Sequence, residues 1–171
     1  MAYYRVNDHL YFSNAVSARD LDKLLYLKIT CIINATQRQQ SAQHPSIDFH
    51  RISVADSPQE DILKHLDRAT NIIHETARKN GRTLVHCKSG VSRAATICIA
   101  YVMKYQNLSL REAHDVVRKA RWAIRPNDGF WEQLLTYEKR LRHTNSVEFI
   151  TIRSLRLPSV YRQEYSNMNQ L

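Results

Sequence analysis

Cys87 and Arg93, separated by five residues, are the pair in this chain best suited to chemistry. A thiolate is a strong nucleophile, and a guanidinium matches two oxygens of an anion such as phosphate. Gly90 lies between them and allows the backbone to turn tightly. An apolar, strand-like run at residues 83–85 leads into the segment, and a helix-like run from Ala94 leads out of it. Because backbone N–H groups and a helix N-terminus converge in such a loop, the residues predict a nucleophile held within an oxyanion cradle.

The composition is typical of a globular domain. The chain has 171 residues, of which 43% are hydrophobic and 24% charged. Its net charge of +9 fits either an anionic partner or charges scattered over the surface. Because Lys and Arg are spread along the chain without a basic run, we expect no nucleic-acid partner. We also expect no signal peptide and no membrane span.

The three cysteines, Cys31, Cys87 and Cys98, are too few and too irregularly spaced for a disulfide framework or a zinc site. A reactive thiolate also needs a reducing environment, so we expect a cytoplasmic location, with the nucleus as a second possibility. Cys31 lies in a β-branched run and is assigned to the core. Cys98 lies in an apolar helix and is either a core residue or a resolving thiol that protects oxidised Cys87.

Apolar periodicity divides the chain into alternating strands and helices. The predicted strands cover residues 5–6, 10–12, 29–33, 49–54 and 83–86, and the predicted helices cover 18–28, 61–79, 92–105, 109–121 and 130–142. The alternation predicts a single α/β domain with a central, mainly parallel twisted sheet of about five strands flanked by helices. Residues 144–171 form an extension with one β-like run, 147–152, and a weakly ordered remainder that could pack on the domain.

Other residues mark helix ends, core positions and ligand-binding edges. The predicted caps are Ser17 for the first helix, Ser109 with Glu112 as a capping box, and Asn127 or Asp128 for the last helix. We assign four aromatic side chains to the core: Tyr101, Trp122, Phe130 and Trp131. The loops after residues 34, 54 and 85 follow strand ends, where parallel sheets bind ligands.

The segment His86-Cys87-Lys88-Ser89-Gly90-Val91-Ser92-Arg93 resembles the signature of the cysteine-based protein phosphatases. With Ala100-Tyr101-Val102-Met103, Ser109-Leu110-Arg111-Glu112-Ala113 and Arg125-Pro126-Asn127-Asp128-Gly129-Phe130, it resembles the atypical dual-specificity phosphatases, which lack a kinase-docking domain. The likeness runs from about residue 3 to 141. It implies a phosphotyrosine protein phosphatase-like fold, a catalytic domain at residues 1–143, and no metal or cofactor.

The resemblance also implies a role for each residue of the site. Cys87 attacks phosphorus and forms a phosphocysteine. Arg93 and the N–H groups of the loop stabilise charge on the phosphoryl oxygens. Asp56, about thirty residues before Cys87, donates a proton to the leaving group and then activates water. Ser92 assists release of the thiolate. The phosphate-binding loop comprises Lys88, Ser89, Gly90, Val91, Ser92 and Arg93, with His86 ordering it and Asn127 bonding it from outside.

Several of these roles have simpler alternatives. Asp56 could be a turn residue, and its rivals as the acid are Asp61, which suits the first turn of a helix, and Asp48. Ser92 could be only a helix cap, and His86 is more simply a structural residue than a proton carrier. The chain departs from the family pattern in two places, because Ser89 stands where Ala is usual and Ala94 where Ser is usual.

Substrate preference depends on the depth of the pocket. Residues 35–46 are short and contain no aromatic residue, so we expect a shallow mouth that accepts phosphotyrosine and phosphoserine or phosphothreonine. The expected partners are phosphoproteins, with mitogen-activated protein kinases as a family-level hypothesis. A phosphoinositide phosphatase is disfavoured by Val91, despite Lys88, and an RNA 5′-phosphatase by Ser89 and Ser92. The third alternative, an idle phosphoprotein-binding module, is disfavoured by the intact catalytic set.

Overall fold

A five-stranded sheet forms the centre of the molecule, in a computed structural model that describes residues 2–167. Its strands are β1 (Tyr3–Arg5), β2 (Leu10–Asn14), β3 (Cys31–Asn34), β4 (Asp48–Arg51) and β5 (Thr83–Cys87). Their order across the sheet is β1-β2-β5-β3-β4, and every neighbouring pair is parallel except β1 with β2. The α/β prediction of a mainly parallel five-stranded sheet is therefore confirmed.

Helices cover both faces of this sheet. They are α1 (Leu21–Tyr26), α2 (Leu63–Arg78), α3 (Arg93–Tyr105), α4 (Leu110–Ala120) and α5 (Asp128–Arg142). The central strand β5 is buried along its whole length, as is β3, which explains their continuous apolar composition. The larger core lies where α3 packs between the sheet and α2, α4 and α5, while α1 covers a smaller core on the opposite face. No helix within residues 2–167 is long and apolar enough to span a bilayer.

The first predicted helix, 18–28 with Ser17 as its cap, is wrong in its start and its cap. A short 3-10 helix, Ser17–Arg19, comes first, and α1 begins only after Asp20. The Asp20 carboxylate accepts a hydrogen bond from the backbone N–H of Lys23, which makes it the true N-cap. The predicted caps Ser109 and Asn127 are confirmed, the former as a complete capping box.

Two other assignments are corrected by the structure. The fourth strand was predicted to reach residue 54, but β4 ends at Arg51, and the chain then leaves the edge of the sheet towards Asp56. Trp122 was predicted to be a core residue but is 81% exposed, because it lies in the turn after α4 rather than on its buried face. Tyr101, Phe130 and Trp131 are buried as predicted.

The prediction of weak order after residue 152 is also wrong for residues 153–167. The predicted β-like run supplies β6 (Phe149–Ile152), which pairs with β7 (Leu155–Pro158) in an antiparallel hairpin. A 3-10 helix (Ser159–Tyr161) and α6 (Arg162–Asn167) follow. Leu157 and Tyr161 are buried in the larger core, so this part of the extension packs on the domain. Residues 168–171 of the predicted extension lie outside the described residues.

Tyr161 meets α4 and α5 at a buried histidine. The His114 ring centroid is 5.2 Å from that of Trp131 and 5.7 Å from that of Tyr161, and within residues 2–167 neither ring nitrogen of His114 has a hydrogen-bond partner. Burial lowers the pKa of His114 to about 4, with a smaller opposing effect from the Asp115 carboxylate. The imidazole is therefore neutral in the folded protein at neutral pH.

We expect this histidine to make the fold sensitive to acid. Between pH 6.5 and 4, His114 is protonated in the unfolded chain but stays neutral in the folded protein. The free energy of unfolding therefore falls as the pH is lowered through this range. The contribution is about 3 kcal/mol, fully present above pH 6.5 and lost below pH 4. Denaturant titrations of His114→Phe across this range should show a weaker pH dependence than the parent. The exposed control His143→Asn should keep the parent's slope.

Candidate active site

Cys87, the last residue of β5, opens the predicted loop, and Arg93, the first residue of α3, closes it. Both are buried. Gly90 has a φ of +68°, a left-handed conformation that favours glycine, and a Cβ atom there would lie 2.8 Å from the Ser13 carbonyl oxygen. The backbone N–H of Gly90 donates to Cys87 Sγ at 3.2 Å. The loop therefore curls around the sulfur atom.

Hydrogen bonds from outside the loop occupy its backbone carbonyls in succession. The donors are Ala15 N–H to Lys88 O (3.2 Å), Arg121 Nη1 to Ser89 O (2.7 Å) and Gly90 O (2.9 Å), Arg125 N–H to Val91 O (2.8 Å), and Thr96 N–H to Ser92 O (2.9 Å). Because the N–H of each peptide points away from its C=O, the amides that follow these carbonyls are turned towards the interior of the loop. Such a ring of amides at a helix N-terminus suits an oxyanion.

Arg93 supplies the charged wall of this cradle. Its Nη1 donates to the Val54 carbonyl oxygen at 3.1 Å, which holds the side chain across the loop. Its Nε is buried and, within residues 2–167, has no hydrogen-bond partner. A buried guanidinium N–H is rarely left without an acceptor, because desolvation is costly. A bound oxyanion would supply that acceptor.

Asp56 is the carboxylate that the fold brings to this arginine. Its Oδ2 lies 4.0 Å from Arg93 Nε, and its side chain is 35% exposed. Asn127 Nδ2 donates to Asp56 Oδ1 at 3.0 Å. The two rivals lie elsewhere: Asp61 accepts a hydrogen bond from Lys64 N–H in the first turn of α2, and Asp48 starts β4, at the end of the sheet away from the loop.

Asn127 also connects the loop to α5. Its backbone N–H donates to Ser92 Oγ at 3.1 Å, and its side-chain oxygen caps α5 by accepting from Phe130 N–H at 3.0 Å. One residue therefore contacts the loop, the carboxylate and the helix, whereas the sequence predicted its contacts with the loop and the helix but not its bond to Asp56. Ser92 makes no side-chain capping bond to α3, so its position as the residue before the helix does not use its hydroxyl.

His86 is held by a residue that sequence reasoning missed. Its Nε2 lies 2.6 Å from Ser41 Oγ, and Ser41 Oγ also accepts from Asn34 Nδ2 at 3.1 Å. The imidazole tautomer decides whether the hydroxyl or the ring donates in this contact, and either arrangement fixes the orientation of the His86 ring. Burial lowers the pKa of His86 to about 4, so the ring is neutral. Ser41 stands 45 residues away in an unremarkable polar loop, so no local signal could have identified it.

The remaining cysteines belong to the core. Cys98 and Cys31 are fully buried, and burial raises the pKa of both thiols, so each is protonated at neutral pH. Within residues 2–167, no group of three or more His, Cys, Asp or Glu side chains is placed to hold a metal ion. Arg121 contacts the loop through Ser89 O and Gly90 O, and the sequence did not reveal this contact, because an arginine at the end of a helix has many possible uses.

Comparison with known proteins gives a consistent result. The family model described as "Dual specificity phosphatase, catalytic domain" matches residues 10–140. Dual specificity protein phosphatase 14 of Mus musculus is 39% identical over 94% of this chain and 81% of its own length. Dual specificity protein phosphatase 18 of Homo sapiens is 38% identical over 94% of this chain and 85% of its own length.

Solved structures of dual specificity phosphatases also resemble this chain. A mouse putative dual specificity phosphatase complexed with zinc tungstate superposes with a TM-score of 0.80 at 36% identity, covering 82% of this chain and 89% of its own. Human DUSP28 superposes with a TM-score of 0.79 at 36% identity, and the match covers 82% of this chain and 95% of the DUSP28 chain.

Proposed function

The chain belongs to the dual specificity phosphatase family, and from that premise we propose how its own residues divide the reaction. It is a protein phosphatase that hydrolyses phosphotyrosine and phosphoserine or phosphothreonine through a phosphocysteine, the mechanism general to the family. The observation that carries the assignment of residues is the buried Arg93 Nε, which has no partner within residues 2–167 and faces Asp56 beside the loop around Cys87 Sγ.

In the first step, the Cys87 thiolate attacks phosphorus in line as the bond to the leaving oxygen breaks. The inward N–H groups of the loop and the Arg93 guanidinium hold the three equatorial oxygens, where negative charge is greatest. Protonated Asp56 gives its proton to the leaving oxygen, so an alcohol or phenol departs. The hydrogen bond from Asn127 Nδ2 keeps the carboxyl group at the mouth of the loop.

In the second step, the Asp56 carboxylate takes a proton from water, and the water oxygen attacks the phosphocysteine. The sulfur–phosphorus bond breaks, and the electron pair returns to Cys87 as a thiolate. We assign to Ser92 a hydrogen bond from its hydroxyl to that sulfur, since its Oγ acts only as an acceptor towards Asn127 N–H and keeps its O–H proton to donate. This contact stabilises the departing thiolate.

Loss of that hydroxyl should slow the second step alone. For Ser92→Ala we expect kcat to fall about ten- to a hundredfold while the first turnover stays fast, because the phosphocysteine accumulates. Rapid-quench measurements with an aryl phosphate should then show a burst of phenol equal to the enzyme concentration. Thr96→Val, which removes a neighbouring hydroxyl bonded to the Ser92 carbonyl, should show no burst. A variant of Ser92 without a burst contradicts the role.

The substrate mouth is expected to be shallow. The polar segment 35–46 carries no aromatic residue and is folded back by Arg51, whose guanidinium donates to the carbonyl oxygens of Thr36 and Gln39 at 2.9 and 3.1 Å. The segment therefore contributes no aromatic wall that would deepen the pocket and make it selective for the longer phosphotyrosine side chain. We propose phosphoproteins of both kinds as substrates, with mitogen-activated protein kinases among them, in the cytoplasm or the nucleus.

Matched phosphopeptides test the breadth of specificity. We expect kcat/KM values for phosphotyrosine and phosphothreonine in the same peptide to lie within about a hundredfold of each other, because a shallow mouth binds chiefly the phosphoryl group, which both side chains carry. Phosphate release from a doubly phosphorylated mitogen-activated protein kinase, beside inositol lipids and 5′-triphosphorylated RNA, tests the substrate class. A protein that cleaves phosphotyrosine but leaves phosphothreonine untouched contradicts the shallow mouth, and preference for the lipid or the RNA contradicts the proposed substrate class.

A further inference from the structure

Arg121 lies just beyond the C-terminal end of α4 and reaches the outer side of the phosphate-binding loop. Its Nη1 donates to two consecutive carbonyl oxygens, Ser89 O at 2.7 Å and Gly90 O at 2.9 Å. The chain approaches so closely that a Cβ atom on Gly90 would lie 2.9 Å from the same nitrogen. The glycine therefore provides the space through which the arginine reaches the backbone.

The guanidinium is also held from its other side. The Arg121 guanidinium carbon lies 4.7 Å from the ring centroid of Tyr4, a cation–π contact. The Tyr4 ring in turn packs on Phe12 of β2, with centroids 5.1 Å apart. Strand β1 and helix α4 thus meet at Arg121, which is fixed before any ligand enters the loop.

Each carbonyl that Arg121 binds shares a rigid peptide plane with an amide on the inner side of the loop. The peptide that presents Ser89 O to Arg121 is the one whose N–H, on Gly90, donates to Cys87 Sγ at 3.2 Å. The next peptide presents Gly90 O to Arg121 and carries the N–H of Val91. A rotation of either plane would turn a negative carbonyl oxygen towards the bound anion.

We propose that Arg121 is a positioning residue that sets the polarity of the oxyanion cradle by fixing these two peptide planes. The proposal rests on the proposed function, since it concerns the same loop. Arg121 touches neither the substrate nor Cys87. Its positive charge adds to the field at the loop, and its stacking on Tyr4 makes the orientation a property of the ligand-free protein.

The test separates orientation of the loop from catalysis by measuring the affinity for tungstate, a tetrahedral oxyanion, by calorimetry. Arg121→Met should bind tungstate about ten- to a hundredfold more weakly than the parent, because displaced groups lose much of their effect on an anion. Arg121→Lys, which retains an N–H donor and the charge, should recover most of that affinity. The control Lys119→Met removes an exposed charge from the last turn of α4 and should bind tungstate as the parent does.

Thermal unfolding of each variant shows whether the protein is folded when affinity is measured, and Arg121→Gln replaces Arg121→Met if the latter does not fold. A folded Arg121 variant without charge that binds tungstate within about twofold of the parent overturns the proposal, whatever its stability. Turnover of p-nitrophenyl phosphate is recorded in parallel. A parent that binds tungstate but releases no phosphate would overturn the proposed function. The role of Arg121 would then still be decided by the tungstate affinities of its variants. A parent that binds no tungstate overturns the role of Arg121, and one that also releases no phosphate overturns both.

Discussion

Cys87→Ser is expected to lower the turnover of an aryl phosphate by roughly 10⁴-fold or more. A serine hydroxyl at this position is a poor nucleophile, and within residues 2–167 no imidazole is hydrogen-bonded to the side chain of residue 87, whose sulfur accepts from Gly90 N–H while His86 Nε2 is bonded to Ser41. The inward amides and Arg93 are unchanged, so the affinity for tungstate should stay within about threefold of the parent's. Steady-state kinetics and calorimetry on the same preparation measure the two quantities.

Cys98→Ala is the matched control for that experiment. Cys98 is fully buried in α3, and burial raises the pKa of its thiol, so its removal should leave turnover within a few-fold of the parent's. Normal turnover by Cys87→Ser would end the assignment of the nucleophile. Loss of tungstate binding together with turnover would mean that the sulfur atom, rather than the amides and Arg93, holds the anion.

Asp56→Ala should slow substrates in proportion to how poorly their leaving groups depart without a proton. We expect a loss of about 10²- to 10³-fold for phenyl or alkyl phosphates and less than about tenfold for p-nitrophenyl phosphate. The reason is that nitrophenolate is stable as an anion, whereas an alkoxide needs the proton that Asp56 donates. A plot of log kcat/KM against leaving-group pKa should therefore be steeper for the variant than for the parent.

The nearby Asp61→Asn is the control, because Asp61 bonds to the first turn of α2 and has no contact with Arg93 among residues 2–167. Its leaving-group plot should match that of the parent. Equal slowing of every substrate by Asp56→Ala would remove this residue from the acid role, and would leave it only the part of a partner for Arg93.

Much of the fold and most of the residues assembled at the site could be predicted from the sequence, because they depend on local patterns. An apolar strand-like run, a glycine-containing loop and an apolar helix follow each other around Cys87, so their geometry is encoded within about twenty residues. Asp56 was predicted from the family resemblance, which places the acid about thirty residues before Cys87, and the structure puts it beside Arg93. The roles of these residues remain predictions that the experiments above test.

The features that could not be predicted depend on contacts between distant segments. Arg121 donates a hydrogen bond to Ser89, which lies 32 residues earlier in the sequence, and neither residue type predicts the contact. Trp122 was assigned to the core by its size alone, whereas its position in the turn beyond α4 leaves it exposed. The C-terminal hairpin was missed because β7 is short and contains Pro158, and its apolar residues are paired only by folding back on β6.

The contact between Pro58 and Gly129 has a kinetic consequence. A Cβ atom on Gly129 would lie 1.9 Å from the Pro58 carbonyl oxygen, so the turn that carries Asp56 rests directly on the start of α5. With Asn127 bonding the same carboxylate, the acid is already in place in the ligand-free protein. We therefore expect substrate to bind without closure of a lid over the site, and without a cost in binding energy for ordering such a lid. On the same grounds we expect turnover of this phosphatase to be limited by chemistry rather than by gating, so that kcat is insensitive to solvent viscosity.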